Sequence, residues 1–116
     1  MVKLYRISDG NSKDRPGYSA NYVADITFRR NINSAGVIIV SILGGQTKPH
    51  VHNELEELFI AGTEIEIHVN ETKYELQKGD TVLVEPGEYH HFKTLNGKTG
   101  FLTAIKFPNL KNDKES

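Results

Sequence analysis

Apolar and polar side chains alternate with a period of two in one stretch of this chain after another, the mark of β-strands with one buried face. Tyr22, Ala24, Ile26 and Phe28 interleave with Val23, Asp25, Thr27 and Arg29, which predicts a strand over 22–29. Ile65, Ile67 and Val69 share one face while Glu64, Glu66 and His68 share the other, so His68 is expected in solvent. Tyr74 and Leu76 continue the pattern after a turn near Asn70-Glu71. A β-branched run from Val37 to Leu43 lies between Asn33-Ser34 and Gly44-Gly45. Val82 and Val84, then His90 and Phe92, and finally Phe101 to Phe107 complete the set. Turns are expected at Asp9-Gly10-Asn11, Arg15-Pro16-Gly17, Lys78-Gly79-Asp80 and Asn96-Gly97. No segment holds a helical period of useful length; Leu4 and Ile7 fit a short helix or an edge strand equally well. Many short strands punctuated by turns predict an all-β sandwich or barrel.

Composition narrows the chemistry. At 116 residues the chain is expected to form a single domain over residues 1–110, with 111–116 (Lys-Asn-Asp-Lys-Glu-Ser) a flexible tail lacking an apolar anchor. It has no cysteine, which excludes disulfides, thiolate metal ligands and a thiol nucleophile. Lys and Arg number 14 against 15 Asp and Glu, and the bases are scattered, so a nucleic-acid footprint is not expected. The apolar run Val37–Val40 is far too short to span a bilayer, and the first residues lack the apolar core of a signal peptide. A cytoplasmic protein without a membrane partner is the expectation.

The polar pattern carries a sharper signal in His50-Val51-His52, followed by Glu56 and, far downstream, by His90. Residues two apart on a strand point to one side, so His50 and His52 present two imidazoles to the same space. A carboxylate after a bend and a histidine from another strand can complete a donor set of the kind that suits a divalent metal with open positions. An isolated His-x-His would more simply be a surface or packing feature; here it has companions.

Gly45-Gln-Thr-Lys-Pro-His50-Val-His52-Asn-Glu-Leu-Glu56, with Gly79-Asp80-Thr-Val-Leu-Val-Glu85-Pro86-Gly87-Glu-Tyr-His90 after it, resembles the two motifs of the cupin superfamily. Thr63 stands where the first motif ends in glycine, Glu85 replaces the first proline of the second, and Thr94 replaces an asparagine that often follows. None of these changes removes a ligand. The resemblance implies a jelly-roll barrel, the double-stranded β-helix, and one divalent ion (Fe, Mn, Ni or Zn) held by His50, His52, Glu56 and His90. Glu57 is the rival carboxylate: Glu56 keeps the motif spacing to Thr63 and shares a face with Leu58 and Ile60, whereas Glu57 would turn Phe59 and Ala61 inward. His91 must point away from His90 and is assigned to the surface or an interface. Gly87 is expected to supply a positive-φ turn that aims His90, and Lys48, of the same parity as His50, could reach the pocket mouth.

Proteins with similar motifs include dioxygenases, sugar isomerases and epimerases, decarboxylases and plain binders, and fold does not choose among them. The leading expectation is an oxygenase-type enzyme on a small organic molecule. A sugar or keto-acid isomerase and a non-catalytic small-molecule binder are the alternatives. Strands apolar on both faces, such as Val37–Val40 and Leu58–Ile60, further predict a homodimer.

Overall fold

The computed structural model describes residues 1–115. The strands are β1 (Lys3–Tyr5), β2 (Asn11–Arg15), β3 (Tyr18–Tyr22), β4 (Gly36–Ile42), β5 (Val51–His52), β6 (Glu56–Ala61), β7 (Ile65–Val69), β8 (Thr72–Leu76), β9 (Thr81–Val84), β10 (His90–Lys93), β11 (Gly100–Phe107) and β12 (Lys114–Glu115). A single 3-10 turn, Ile7–Asp9, follows β1, so the ambiguous first segment is an edge strand and a turn in succession.

Five strands form one antiparallel sheet in the order β1-β9-β6-β11-β4, and three form a second, β10-β7-β8. Phe59, Ala61, Val82, Val84, Leu102 and Ala104 from the first sheet meet Ile65, Ile67, Val69, Leu76 and Phe92 in one buried cluster. Two sheets facing across an apolar layer make the jelly-roll sandwich of a double-stranded β-helix, although their hydrogen bonds do not close into one continuous barrel. Burying each such aliphatic or aromatic side chain contributes roughly 1.5–3 kcal/mol, which makes the alternation itself the organiser of the fold.

Three expectations are corrected here. Residues 23–28 are not a strand: β3 ends at Tyr22, and the alternating run has no ladder partner. At its end the ring of Phe28 packs 4.7 Å from that of Phe107. His68 is half-buried rather than free in solvent, its ring stacked at 4.5 Å on that of His91, its cross-strand partner. The C-terminal segment is also docked. β12 pairs with β5, and the Asp113 carboxylate accepts hydrogen bonds from the backbone N–H groups of Glu54 and Leu55, each at 3.0 Å. Burial alone would raise the Asp113 pKa; those backbone donors and the nearby His52 outweigh it and lower it.

Candidate metal centre

The site grows from the pairing of two short segments. His50 and His90 form an isolated antiparallel bridge in which each backbone N–H reaches the other's carbonyl, at 3.0 and 2.9 Å. This brings two imidazoles together with ring centroids 4.3 Å apart, and β5 carries His52 in beside them at 5.1 Å from His50. The turn before His90 is built for the purpose. The Glu88 N–H bonds the Glu85 carbonyl at 3.2 Å, Pro86 occupies the second position, and Gly87 the third with φ of 86°. That is a type II turn, which demands a residue tolerant of positive φ at its third position. The Gly87 N–H then bonds the His52 carbonyl at 2.9 Å, locking the turn to the other histidine segment.

The carboxylate among the histidines is that of Glu57, not Glu56. Oε1 of Glu57 lies 2.8 Å from Nε2 of His52 and 3.5 Å from Nε2 of His90. One donor atom from each of His50, His52, Glu57 and His90 falls within 4.8 Å of the others. Glu56 faces the opposite side of β6 and sits 3.7 Å from the exposed guanidinium of Arg29. The reason is strand parity against neighbours. Phe59 and Ala61 belong to the buried cluster between the sheets, so Glu57 shares their face, and Glu56 goes outward with Leu58 and Ile60. Glu56, buried at 4% exposure, instead lines a separate cavity of about 320 Å³ with Arg29, Arg30 and Pro86.

These residues suit a divalent ion. Nδ1 of His90 donates to the Glu88 carbonyl at 2.9 Å and Nδ1 of His50 to the Lys48 carbonyl at 3.3 Å. Carbonyls only accept, so each bond fixes the proton on Nδ1 and leaves Nε2 with its lone pair. Nε2 of His90 is fully buried without a hydrogen-bond partner, an unusual cost for an imidazole with no ligand to meet. Donors about 2.0–2.1 Å from a shared ion lie no more than about 4.2 Å apart, so the cluster is close to that size already. The Glu57 carboxyl is ready as an anion. Burial would raise its pKa, but its contacts with His52 and His90 prevail and lower it to about 2.

A cavity of about 590 Å³ opens over the cluster. His50, His52 and Glu57 lie in its lining, with Ile38, Val40, Phe59, Phe92 and Leu102 as apolar walls. Leu110, Asn112 and Asp113 of the docked C-terminal segment edge the mouth. Lys48 reaches the lining, as its parity predicted. Lys106 reaches it too, and the sequence reading passed over it. The signal was present: Leu102, Ala104 and Lys106 share one parity on β11, so the lysine continues an inward-facing apolar row. His91 is turned out of the site, as expected.

Comparison with known proteins gives this arrangement a family. The family described as Cupin domain matches residues 38–104, more than half of the chain and the stretch that carries every cluster residue. A gentisate 1,2-dioxygenase of Haloferax is 27% identical over 86 residues, covering 74% of this chain but 24% of that protein's length. Among solved structures, a Klebsiella pneumoniae protein with a double-stranded β-helix domain superposes with a TM-score of 0.63 at 20% identity, covering 75% of this chain and 77% of that one. The salicylate 1,2-dioxygenase of Pseudoaminobacter salicylatoxidans superposes with a TM-score of 0.58 at 13% identity, covering 64% and 21%. At such identities the structural likeness speaks for the fold.

Proposed function

The chain belongs to the cupin family, and from that premise we propose that it is a metal-dependent enzyme carrying out an oxygenase-type reaction on a small organic molecule. The observation that carries the reading is the convergence of three imidazoles and the Glu57 carboxylate at an apolar-walled cavity, with a buried His90 nitrogen left unpartnered. The likeness to a gentisate dioxygenase over most of the chain supports the oxygenase class over the isomerase alternative.

His50, His52, Glu57 and His90 would hold the ion, which, as Fe(II), would supply the capacity to bind and activate dioxygen. The protein's own part is orientation and exclusion of water. The Glu88 and Lys48 carbonyls hold the imidazole tautomers, and the apolar walls keep bulk solvent from the reacting space. A cavity of about 590 Å³ is sized for a compact ligand rather than a polymer. Among the described residues no helix is long and apolar enough to cross a membrane.

A second copy of the chain is the partner this reading includes. β4 lies at the edge of the large sheet with Val37 and Ile39 exposed at 67% and 72%, and an open antiparallel edge can pair with itself about a two-fold axis. The activity test is reconstitution of tag-free protein with Fe(II), Mn(II), Ni(II) or Zn(II), following oxygen uptake and product formation over diketones, phenols, thiols and sugar phosphates. Oxygen uptake with Fe(II), lost in His52→Ala and His90→Ala, is expected. Equal turnover without oxygen would move the protein to the isomerase class, and binding without conversion under every metal would make it a binder.

A further inference from the structure

Lys106 is a side chain of the cavity wall whose chemistry neither the metal cluster nor the apolar packing absorbs. It stands on the interior face of β11, directly after Leu102 and Ala104 in parity, and its backbone is the cross-strand partner of Glu57. A half-buried lysine at such a position loses part of its hydration, which a polar partner can replace. Its ammonium donates to the Leu110 carbonyl at 3.1 Å, one bond from a group with three donors. No ion pair joins it to Glu57 among the described residues, although the two are register partners; Glu57 is engaged by His52 instead.

The charge balance of the cavity points the same way. Lys48 and Lys106 face Glu57 and Asp113 around its lining, so the walls are neutral by formal charge. A divalent ion among the histidines would leave an excess of two positive charges in a space with apolar walls. In such surroundings the excess is compensated most readily by an anion entering with the ligand.

We infer that Lys106 is a specificity-determining residue of the cavity, selecting organic ligands that carry a carboxylate or similar anionic group on a compact apolar body. Ile38, Val40 and Phe92 receive the body, and Lys106 receives the charged end, with Lys48 contributing at the exposed rim. This rests on the metal-centre reading for the excess of charge, but the lysine's contact with the anion is a separate interaction and can be tested separately.

Benzoate and its uncharged isostere benzamide are the probes, titrated by calorimetry into the full chain, both zinc-loaded and stripped of metal. A charge-assisted bond to a partly desolvated ammonium predicts that benzoate binds the zinc-loaded protein about tenfold tighter than benzamide, with a smaller preference in the stripped protein. Lys106→Met, which keeps the length of the side chain, should abolish the preference in the stripped protein and reduce it severalfold in the zinc-loaded one, while leaving benzamide affinity and zinc stoichiometry unchanged. Lys106→Arg should retain it, and a circular dichroism melt within a few degrees of the parent checks that both variants fold. If benzoate has no advantage over benzamide in the parent, or if Lys106→Met keeps the advantage undiminished in both forms, the inference is overturned while zinc binding at the histidines stands. If instead zinc binds no better to the parent than to a His50→Ala/His52→Ala variant, yet stripped protein shows a benzoate preference that Lys106→Met removes, the metal reading fails and the anion site holds.

Discussion

Glu56→Gln and Glu57→Gln alter neighbouring positions of β6 that face opposite ways, so they should separate metal binding from scaffold electrostatics. A protein-bound divalent ion in a four-donor site is worth on the order of 10–16 kcal/mol at neutral pH, and an even share for one donor is about 2.5–4 kcal/mol. Loss of the Glu57 charge should therefore weaken zinc binding by roughly a hundredfold or more, the neutral amide retaining one weak oxygen donor. Glu56 has no part in the cluster, and its neighbour Arg29 is 67% exposed along its side chain, so their pairing contributes no more than about 1 kcal/mol to stability and nothing to the metal. Glu57→Gln also has a cost without metal. The carboxyl is held near 2 against an ordinary value of 4.5, and a depressed carboxylate stabilises the folded chain above its unfolded pKa and loses that contribution as pH falls through the folded one. At pH 7 the difference corresponds to roughly 3 kcal/mol, so the stripped variant should melt lower than its parent. Chelator competition with zinc on tag-free proteins, paired with melts of the stripped forms, reads both effects. Hundredfold weaker binding in Glu56→Gln, with Glu57→Gln within about threefold of the parent, would refute the assignment.

Asp80→Ala should destabilise the fold by about 3–5 kcal/mol in urea titrations at pH 7, because it strips a buried carboxylate from Arg6 and orphans two backbone donors. Those contacts are Arg6 Nη1 at 2.7 Å, the Ile7 N–H at 2.9 Å and the Gln77 N–H at 2.8 Å. Burial would raise the Asp80 pKa, but the Gln77 and Ile7 donors and Arg6 lower it, so its contribution is complete above the unfolded value of about 3.9 and fades below it; parent and variant should converge in stability as pH falls through that window. Asp113→Ala should speed hydrogen exchange at the amides of Glu54 and Leu55, which its carboxylate holds, and unchanged exchange would mean that the C-terminal segment is not docked in solution. Sedimentation at about tens of micromolar should show the parent near twice 13.0 kDa and Ile39→Lys as a monomer, while a monomeric parent would dispose of the β4 interface.

What was legible in the sequence is what depends on local geometry. Period-two alternation marks β7 and β11 because each has one face on the core, and the same parity puts His50 and His52 together and turns His91 away from His90. Pro86-Gly87 encodes its turn outright, since φ at the third position must be positive. The choice between Glu56 and Glu57 was not legible. β6 lies between β9 and β11 and is covered on both faces, so Leu58 and Ile60 are no less apolar a row than Phe59 and Ala61. Only the packed sheets decide which row is interior. The alternating run 23–28 and the polar tail misled for the converse reason. Strand formation needs an edge to pair with, and docking needs partners such as the Glu54 and Leu55 amides, both of which are supplied from distant parts of the chain. Lys106 belongs to the same class. Its parity can be counted along β11, but that its row faces a cavity shared with the histidines is a property of the assembled sheets, where side chains remote in sequence come to share one desolvated space.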